Sequence, residues 1–322
     1  MEGLAEYSLL IERELSGIHF PITPENLYDP LKYFLNLGGK RLRPVLTLLA
    51  SEMYGKTRES ALPAALAVEV FHNFTLIHDD IMDQAPLRRN KETIQVKWNP
   101  NIAILSGDVL FVKAYQLLVQ QEERHLKELI DVFNRTAIEV CEGQQLDMDF
   151  ENRTNVTVEE YIEMIRLKTS VLLGCALEFG AIIADAPRED RNNLYQFGQN
   201  IGIAFQIQDD ILDLYADPEK FGKQVGGDVI ADKKTLLNLK ALELCDENTS
   251  AQLANLSKET NSERKVALTR LIYDDLNVKS VCEGIMELFY NRAMLHLDQI
   301  EKDESSKSRL KGLAKYLMTR SI

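Results

Sequence analysis

Glycine and proline are scarce in this chain, sixteen and nine of 322 residues, or about 5% and 3% where globular domains carry roughly 7% and 5%. That shortage leaves little material for tight turns and bulges. No period-two strand rhythm and no repeat of roughly 20–50 residues recurs, so β-sandwiches, barrels and solenoids are excluded. Cysteine is also sparse: Cys141, Cys175, Cys245 and Cys282 lie without C-x-x-C spacing inside apolar helical patterns. A disulfide framework is excluded, and reduced core thiols are expected. Positive charge is in deficit, 37 basic against 50 acidic residues for a net −13, which argues against nucleic acid or an anionic membrane surface as partner. The opening residues Met1, Glu2, Gly3, Leu4, Ala5 and Glu6 lack a basic stretch followed by an apolar one, so no secretory signal is expected. Charges such as Glu178 cut the apolar runs short of the roughly 18 residues of a membrane span. A soluble, cytoplasmic protein is the expectation.

What remains is helix-forming material, 45% hydrophobic and 27% charged, with Leu, Ala, Glu and Lys prominent. Thr23 as N-cap and Pro24 at the first helical position open a helix toward Gly38 and Gly39, and another begins near Pro44. Helices are expected over 61–83, 102–122, 193–213, 236–246, 263–300 and 306–320. Thr157 and Glu160 form a capping box for a helix running through Lys168 toward Ala184, closed by Asp185, Ala186 and Pro187. The least helical stretches are 84–101, 216–235 and 246–262. The last reads as a solvated connection, whereas the first two follow acidic clusters and carry basic residues, a pattern that long loops keep for function. A single all-α domain over 1–322 is expected.

The first acidic cluster is Asp79, Asp80 and Asp83, a D-D-x-x-D at the end of an apolar run. On a helix these three crowd one arc, and like charges so placed cost about 0.2–0.5 kcal/mol per pair. A purely structural role would avoid that cost. The same pattern returns 130 residues later as Asp209, Asp210 and Asp213. Two such clusters make an oxygen-rich site for hard cations, and magnesium takes few carboxylates together with substrate phosphates. Asp274 and Asp275 lack the third acid, since position 278 is Val, and carry no function.

Basic stations suggest what such metals hold. Lys40 and Arg43 follow the Gly38–Gly39 pair, Arg88 and Arg89 lie just past the first acids, and Lys223, Lys233 and Lys234 lie past the second, around Gly226, Gly227 and Asp228. The combination suggests two diphosphates, one held through metal and one by direct contact. A P-loop is excluded, because neither glycine–lysine pair has the required upstream glycine and downstream Ser/Thr.

The paired D-D-x-x-D motifs, G-G-K-R-L-R-P at 38–44, Arg88–Arg89, Lys168–Thr169 and F-G-K-Q-V-G-G-D at 221–228 resemble the trans-prenyltransferases, or polyprenyl synthetases, over roughly residues 28–240. The resemblance implies an isoprenoid-synthase bundle around a deep central cavity, a homodimer, and three magnesium ions per site with substrate bound. It implies condensation of isopentenyl diphosphate with a dimethylallyl, geranyl or farnesyl diphosphate, releasing pyrophosphate. Carried over by position, Asp79, Asp80, Asp83 and Asp209 resemble the magnesium ligands, with Asp210 and Asp213 completing the second cluster. Arg88, Lys168 and Lys223 resemble contacts to the allylic diphosphate, and Lys40, Arg43, His72 and Arg89 the isopentenyl diphosphate site. Thr169 and Gln206 fall where the family places oxygen dipoles near the allylic cation, and Lys233 where it closes a loop. The tail at Arg320 is less basic than in some relatives.

Such chemistry needs no protein nucleophile. Metal ions and Arg/Lys clamps neutralise the departing pyrophosphate, and apolar walls keep water from the cation. Phe74, five residues before Asp79, lies roughly 7–8 Å down the helix from it. Phe71 is one turn deeper, and the two rings are expected to form a stepped floor beside the small Thr75. A short product of fifteen or twenty carbons is expected, with fifteen favoured. Three readings compete. A class I terpene cyclase shares the bundle and the first motif. A di-iron carboxylate bundle would use the E-x-x-H pairs Glu69/His72 and Glu122/His125, although the segment around His125 reads as a solvated face. A non-catalytic partner subunit would be expected to have lost aspartates, and none is lost.

Overall fold

Apolar residues at a 3.6-residue period give each helix a stripe that must be buried against another helix. The computed structural model describes residues 4–216 and 225–319. Its helices in chain order are α1 (Leu4–Ser16), α2 (Glu25–Leu35), α3 (Leu42–Met53), α4 (Arg58–Met82), α5 (Ile94–Lys97), α6 (Pro100–Leu118), α7 (Glu123–Asn152), α8 (Val158–Ile165), α9 (Val171–Ile183), α10 (Arg188–Tyr215), α11 (Gly227–Ile230), α12 (Leu236–Leu244), α13 (Glu247–Leu256), α14 (Ser262–Asp275), α15 (Val278–Gln299) and α16 (Glu304–Thr319). A two-stranded hairpin, β1 (Leu87–Arg88) and β2 (Lys91–Glu92), separates α4 from α5. The fold class is all-α.

Several expected boundaries move. Pro24, not Thr23, is the cap of α2: its extended ψ of 130° keeps it outside the first turn, which begins at Glu25. The Thr157 capping box is present, but the helix it opens does not continue unbroken, because Arg166–Ser170 forms a π-helical turn before α9. The stretch 263–300 is split at Asn277, whose φ of 56° ends one helix and caps the next. Residues 246–262 are not a bare connection. Asp246 caps α13 by accepting the Thr249 N–H, and Leu253 is the one buried residue of that helix. A single apolar anchor among Asn, Ser and Thr gives too weak a periodicity to read.

The chain divides into two compact units, Met1–Asn134 with Cys175–Leu194, and Arg135–Gly174 with Tyr195–Ile322. In the first, α4 packs against α3 and α6, with α2 on α6 and α1 on α3. The buried face of α4 is built from small residues, Ala61, Ala64, Ala65 and Ala67, widening to Val68, Val70 and Phe71 as the helix approaches its acidic end. In the second unit, Ile203, Ile207, Ile211 and Leu214 of α10 share a core with Tyr161 and Ile165 of α8, Leu236 and Leu237 of α12, and Tyr273 of α14.

By length and composition α4 and α6 are both apolar enough to cross a membrane, contrary to the expectation that charges interrupt every run. Only Glu69 interrupts α4 between 61 and 78, and only Asp108 and Lys113 interrupt α6. Most of the apolar stretch of α4 is buried within the protein. The cysteines also divide. Cys175 and Cys282 are buried thiols, whereas Cys141 is exposed on α7 and Cys245 half-exposed; none of the four is in a disulfide.

Candidate active site

The first unit gathers one acidic and one basic group. At the end of α4, Asp80 is buried, and Arg88 Nε donates to both its carboxylate oxygens at 2.8 and 2.9 Å. Asp79 is half-buried and Asp83, the C-cap, is exposed. Burial pushes the Asp80 carboxyl up, against the pull of Arg88. Arg88 reaches back because Arg89 and Asn90, at φ 53° and 61°, form the tight turn of the hairpin. Gln95, which the sequence did not single out, staples this turn: its Nε2 donates to the Asp80 and Ala85 carbonyls at 2.5 and 3.1 Å. A lone glutamine in a polar loop carries no sequence signal for that role.

The loop before α3 supplies the basic group. Arg43 Nη1 lies 3.0 Å from His72 Nε2, and its Nε is enclosed without a partner. Burial lowers the Arg43 guanidinium to about 10, opposed by Glu69. Burial, then the charges of Arg43, Arg89, Arg88 and Arg41, hold the His72 imidazole well below its usual range. His72 is therefore neutral among cations, and the field of the cluster calls for an anion. Lys40 is exposed at the mouth of the same loop.

The aromatic cluster around Phe74 is larger than two rings. Phe71 is fully buried and lies 5.5 Å from Phe74, 5.7 Å from Phe111 and 5.1 Å from Phe133, while Phe74 stacks on Phe111 at 5.1 Å. Thr75 beside it turns its hydroxyl back to the His72 carbonyl at 2.8 Å. Phe111 and Phe133 come from α6 and α7, too far along the chain for the α4 pattern to point to them.

In the second unit Lys168 and Thr169 sit on the π-helical turn, where close contacts clasp the backbone from two sides. A Cβ at Gly143 of α7 would meet the Lys168 nitrogen at 2.2 Å, and one at Gly202 of α10 would meet Ser170 Cα at 2.7 Å. Lys168 Nζ donates to Asp147 Oδ2 at 2.6 Å. Thr169 Oγ1 donates to Gln206 Oε1 at 3.4 Å, and Gln206 Nε2 donates to Asp210 Oδ1 at 3.2 Å.

The second acidic cluster splits by helical phase. Asp210 points inward and accepts from the Tyr161 hydroxyl and from the Leu236 N–H at 3.4 Å. Burial, then repulsion by Asp228, pushes its carboxyl up to about 7. Asp210 is thus engaged by Tyr161, Gln206 and the Leu236 amide. Asp213 accepts the Asp228 N–H at 3.0 Å and so holds the first turn of α11, while Asp209 is half-buried on the other arc. Lys233 is exposed after α11. Lys223 and Arg320 lie outside the described residues.

Among the described residues no three His, Cys, Asp or Glu side chains converge as a complete cage. Taken unit by unit, Asp79 and Asp83 in the first and Asp209 in the second are each at least partly exposed carboxylates of the kind magnesium takes, leaving its other positions to water and phosphate. The E-x-x-H pairs do not fit iron. Glu69 accepts from Arg41 at 2.7 Å, and His125, buried rather than solvated, pairs through Nε2 with Asp185 at 2.8 Å.

Comparison with known proteins agrees with this chemistry. The family model described as polyprenyl synthetase matches residues 24–274. A geranylgeranyl diphosphate synthase of Methanosarcina mazei is 39% identical over 309 residues, covering 93% of this chain and 92% of its own. A crystal structure of a geranylgeranyl pyrophosphate synthase superposes with a TM-score of 0.92 at 42% identity, covering 100% of this chain and 99% of its own. A geranylgeranyl pyrophosphate synthetase from Pyrococcus horikoshii OT3 gives 0.91 at 34%, covering 99% and 98%. With this coverage, and with the all-α isoprenoid synthase fold it shares, the chain belongs to the polyprenyl synthetase family and is an enzyme that transfers prenyl groups.

Proposed function

We propose that this enzyme condenses isopentenyl diphosphate head-to-tail with an allylic diphosphate to give a twenty-carbon product and pyrophosphate. The observation that carries the reading is the pairing in one unit of the carboxylates at the end of α4 with the cation cluster of Arg43, Arg88, Arg89 and neutral His72. Asp79, Asp83 and Asp209 are assigned to magnesium, as three ions per site with substrate bound, with Asp80 holding Arg88 beside them. Magnesium supplies Lewis acidity to the leaving pyrophosphate. Arg88, Lys168 and Lys223 take the charge that develops on that group, and Lys40, Arg43, His72 and Arg89 hold the other diphosphate. Thr169 and Gln206 turn oxygen dipoles toward the allylic cation, and Lys233 closes over the site. Protein donors thus act where charge appears, while the proton that leaves the carbon beside the condensed cation, as the new double bond forms, goes to the pyrophosphate.

Twenty carbons are preferred to fifteen because Thr75 leaves room beside Phe74 and because the relatives compared are geranylgeranyl synthases. A homodimer located in the cytoplasm, not spanning a membrane, completes the proposal. The test is incubation with magnesium, isopentenyl diphosphate and each of the dimethylallyl, geranyl and farnesyl diphosphates, with products identified by mass spectrometry. Geranylgeranyl diphosphate is expected from all three. No condensation would overturn the reaction, and a main product of any length other than twenty carbons would overturn the chain length.

A further inference from the structure

Arg41 stands between Lys40 and Arg43 in the basic loop, yet its side chain is entirely shielded from solvent. Its backbone is left-handed, φ 46° and ψ 35°, a conformation that costs a non-glycine residue energy and persists only where surrounding contacts hold it. Those contacts come from three helices. Arg41 Nη1 donates to Glu69 Oε1 of α4 at 2.7 Å, Nε to Glu12 Oε1 of α1 at 2.8 Å, and Nη2 to the Leu35 carbonyl at the end of α2 at 3.0 Å. Glu69 also accepts from Asn73 Nδ2 at 3.3 Å, and that same amide bonds the Glu69 carbonyl at 2.7 Å. The clamp therefore grips α4 one turn before His72, which Arg43 touches at 3.0 Å.

Only the planar, five-donor fork of arginine can serve three acceptors in fixed directions. With three of its five N–H groups so committed and its side chain shielded from solvent, Arg41 does not face an incoming anion. Its effect is on its neighbours, because the left-handed turn sends Lys40 out to solvent while Arg43 enters the first turn of α3.

We propose that Glu12, Arg41 and Glu69 form a positioning clamp that sets Lys40, Arg43 and His72 at the spacing of one diphosphate, so that α1 takes part in isopentenyl diphosphate affinity without touching substrate. The proposal rests on the assignment of that diphosphate to this cluster. Arg41 is a positioning residue, not a catalytic one.

The test compares Glu12→Gln, Arg41→Lys and Arg41→Gln by steady-state kinetics, each substrate varied in turn, with the melting temperature recorded alongside. Glu12 is partly exposed, 37% for its side chain, so its variant is the one that folds in any case. Glu12→Gln should raise KM for isopentenyl diphosphate about threefold to tenfold, a fraction of a charged hydrogen bond transmitted to the site. Arg41→Gln should raise it by about tenfold or more, with Arg41→Lys between wild type and Gln, while KM for the allylic diphosphate stays within about twofold throughout. A lowered melting temperature with both KM values unchanged, or equal rises in both, would overturn the clamp. If Arg41 variants do not fold, Glu12→Gln decides alone by the same split. A wild-type enzyme that condenses nothing would instead overturn the functional reading on which the clamp rests.

Discussion

At the scale of single residues, charge and helical phase together decide which parts of a motif are available for chemistry. The two D-D-x-x-D clusters differ only at Met82 against Leu212, yet Asp80 is tied to Arg88 and Asp210 to Tyr161, Gln206 and the Leu236 amide. Sequence spacing placed the acids on one arc but could not say which of them faces the interior, since that depends on distant partners. His72 shows the converse. Its position in the motif was legible, but its charge state follows from burial and from Arg43, Arg89, Arg88 and Arg41 around it. Its folded pKa lies below the ordinary 6.5, so the unfolded chain binds more protons below that pH. The stabilisation from a neutral His72 is therefore present above about pH 6.5 and lost as the pH falls. Urea unfolding of the ligand-free protein at about pH 7 and pH 5.5 should show wild type losing more stability than His72→Gln, by at most about 1.4 kcal/mol per pH unit. Equal losses in the two proteins would mean that His72 is charged when folded.

At the scale of elements, capping residues and apolar period made most helices legible, because both are local. The π-helical turn at Arg166–Ser170 was not, for its cause lies on two other helices. Gly143 of α7 and Gly202 of α10 bring backbone against the turn that carries Lys168 and Thr169, and a Cβ at Gly143 would sit 2.2 Å from the Lys168 nitrogen. That atom is main chain and cannot swing aside, so Gly143→Ala must displace the turn. Lys168 would lose its 2.6 Å approach to Asp147, and Thr169 its contact with Gln206. A misplacement near 1 Å can cost about a hundredfold in rate. The expected outcome is kcat lowered by about tenfold to a hundredfold with far-UV circular dichroism close to wild type. Unchanged kcat in a folded variant would show that the turn yields without moving its side chains.

At the scale of the molecule, the all-α class and the order of motifs were readable because they rest on composition and on strings of neighbouring residues. The aromatic cluster was half readable, since Phe71 and Phe74 share a face of α4 but their partners Phe111 and Phe133 come from elsewhere. This assembly alters what truncation at each ring should do. Phe74 is half-buried, so Phe74→Ala removes a ring from a partly open position and opens the space beside Phe111. Phe71 is completely buried against three aromatic neighbours, and its loss to Ala should cost about 3–5 kcal/mol. Phe74→Ala should therefore keep a near-normal melting temperature and shift the product from twenty to twenty-five carbons, the next whole isoprene unit. The Phe71→Ala, Phe74→Ala pair should lengthen the product further but melt markedly lower, so its products are to be assayed below that transition. Mass spectrometry of the diphosphate products is the measurement. An unmoved distribution in folded Phe74→Ala would assign the floor to Phe111, which then becomes the ring whose removal lengthens the chain.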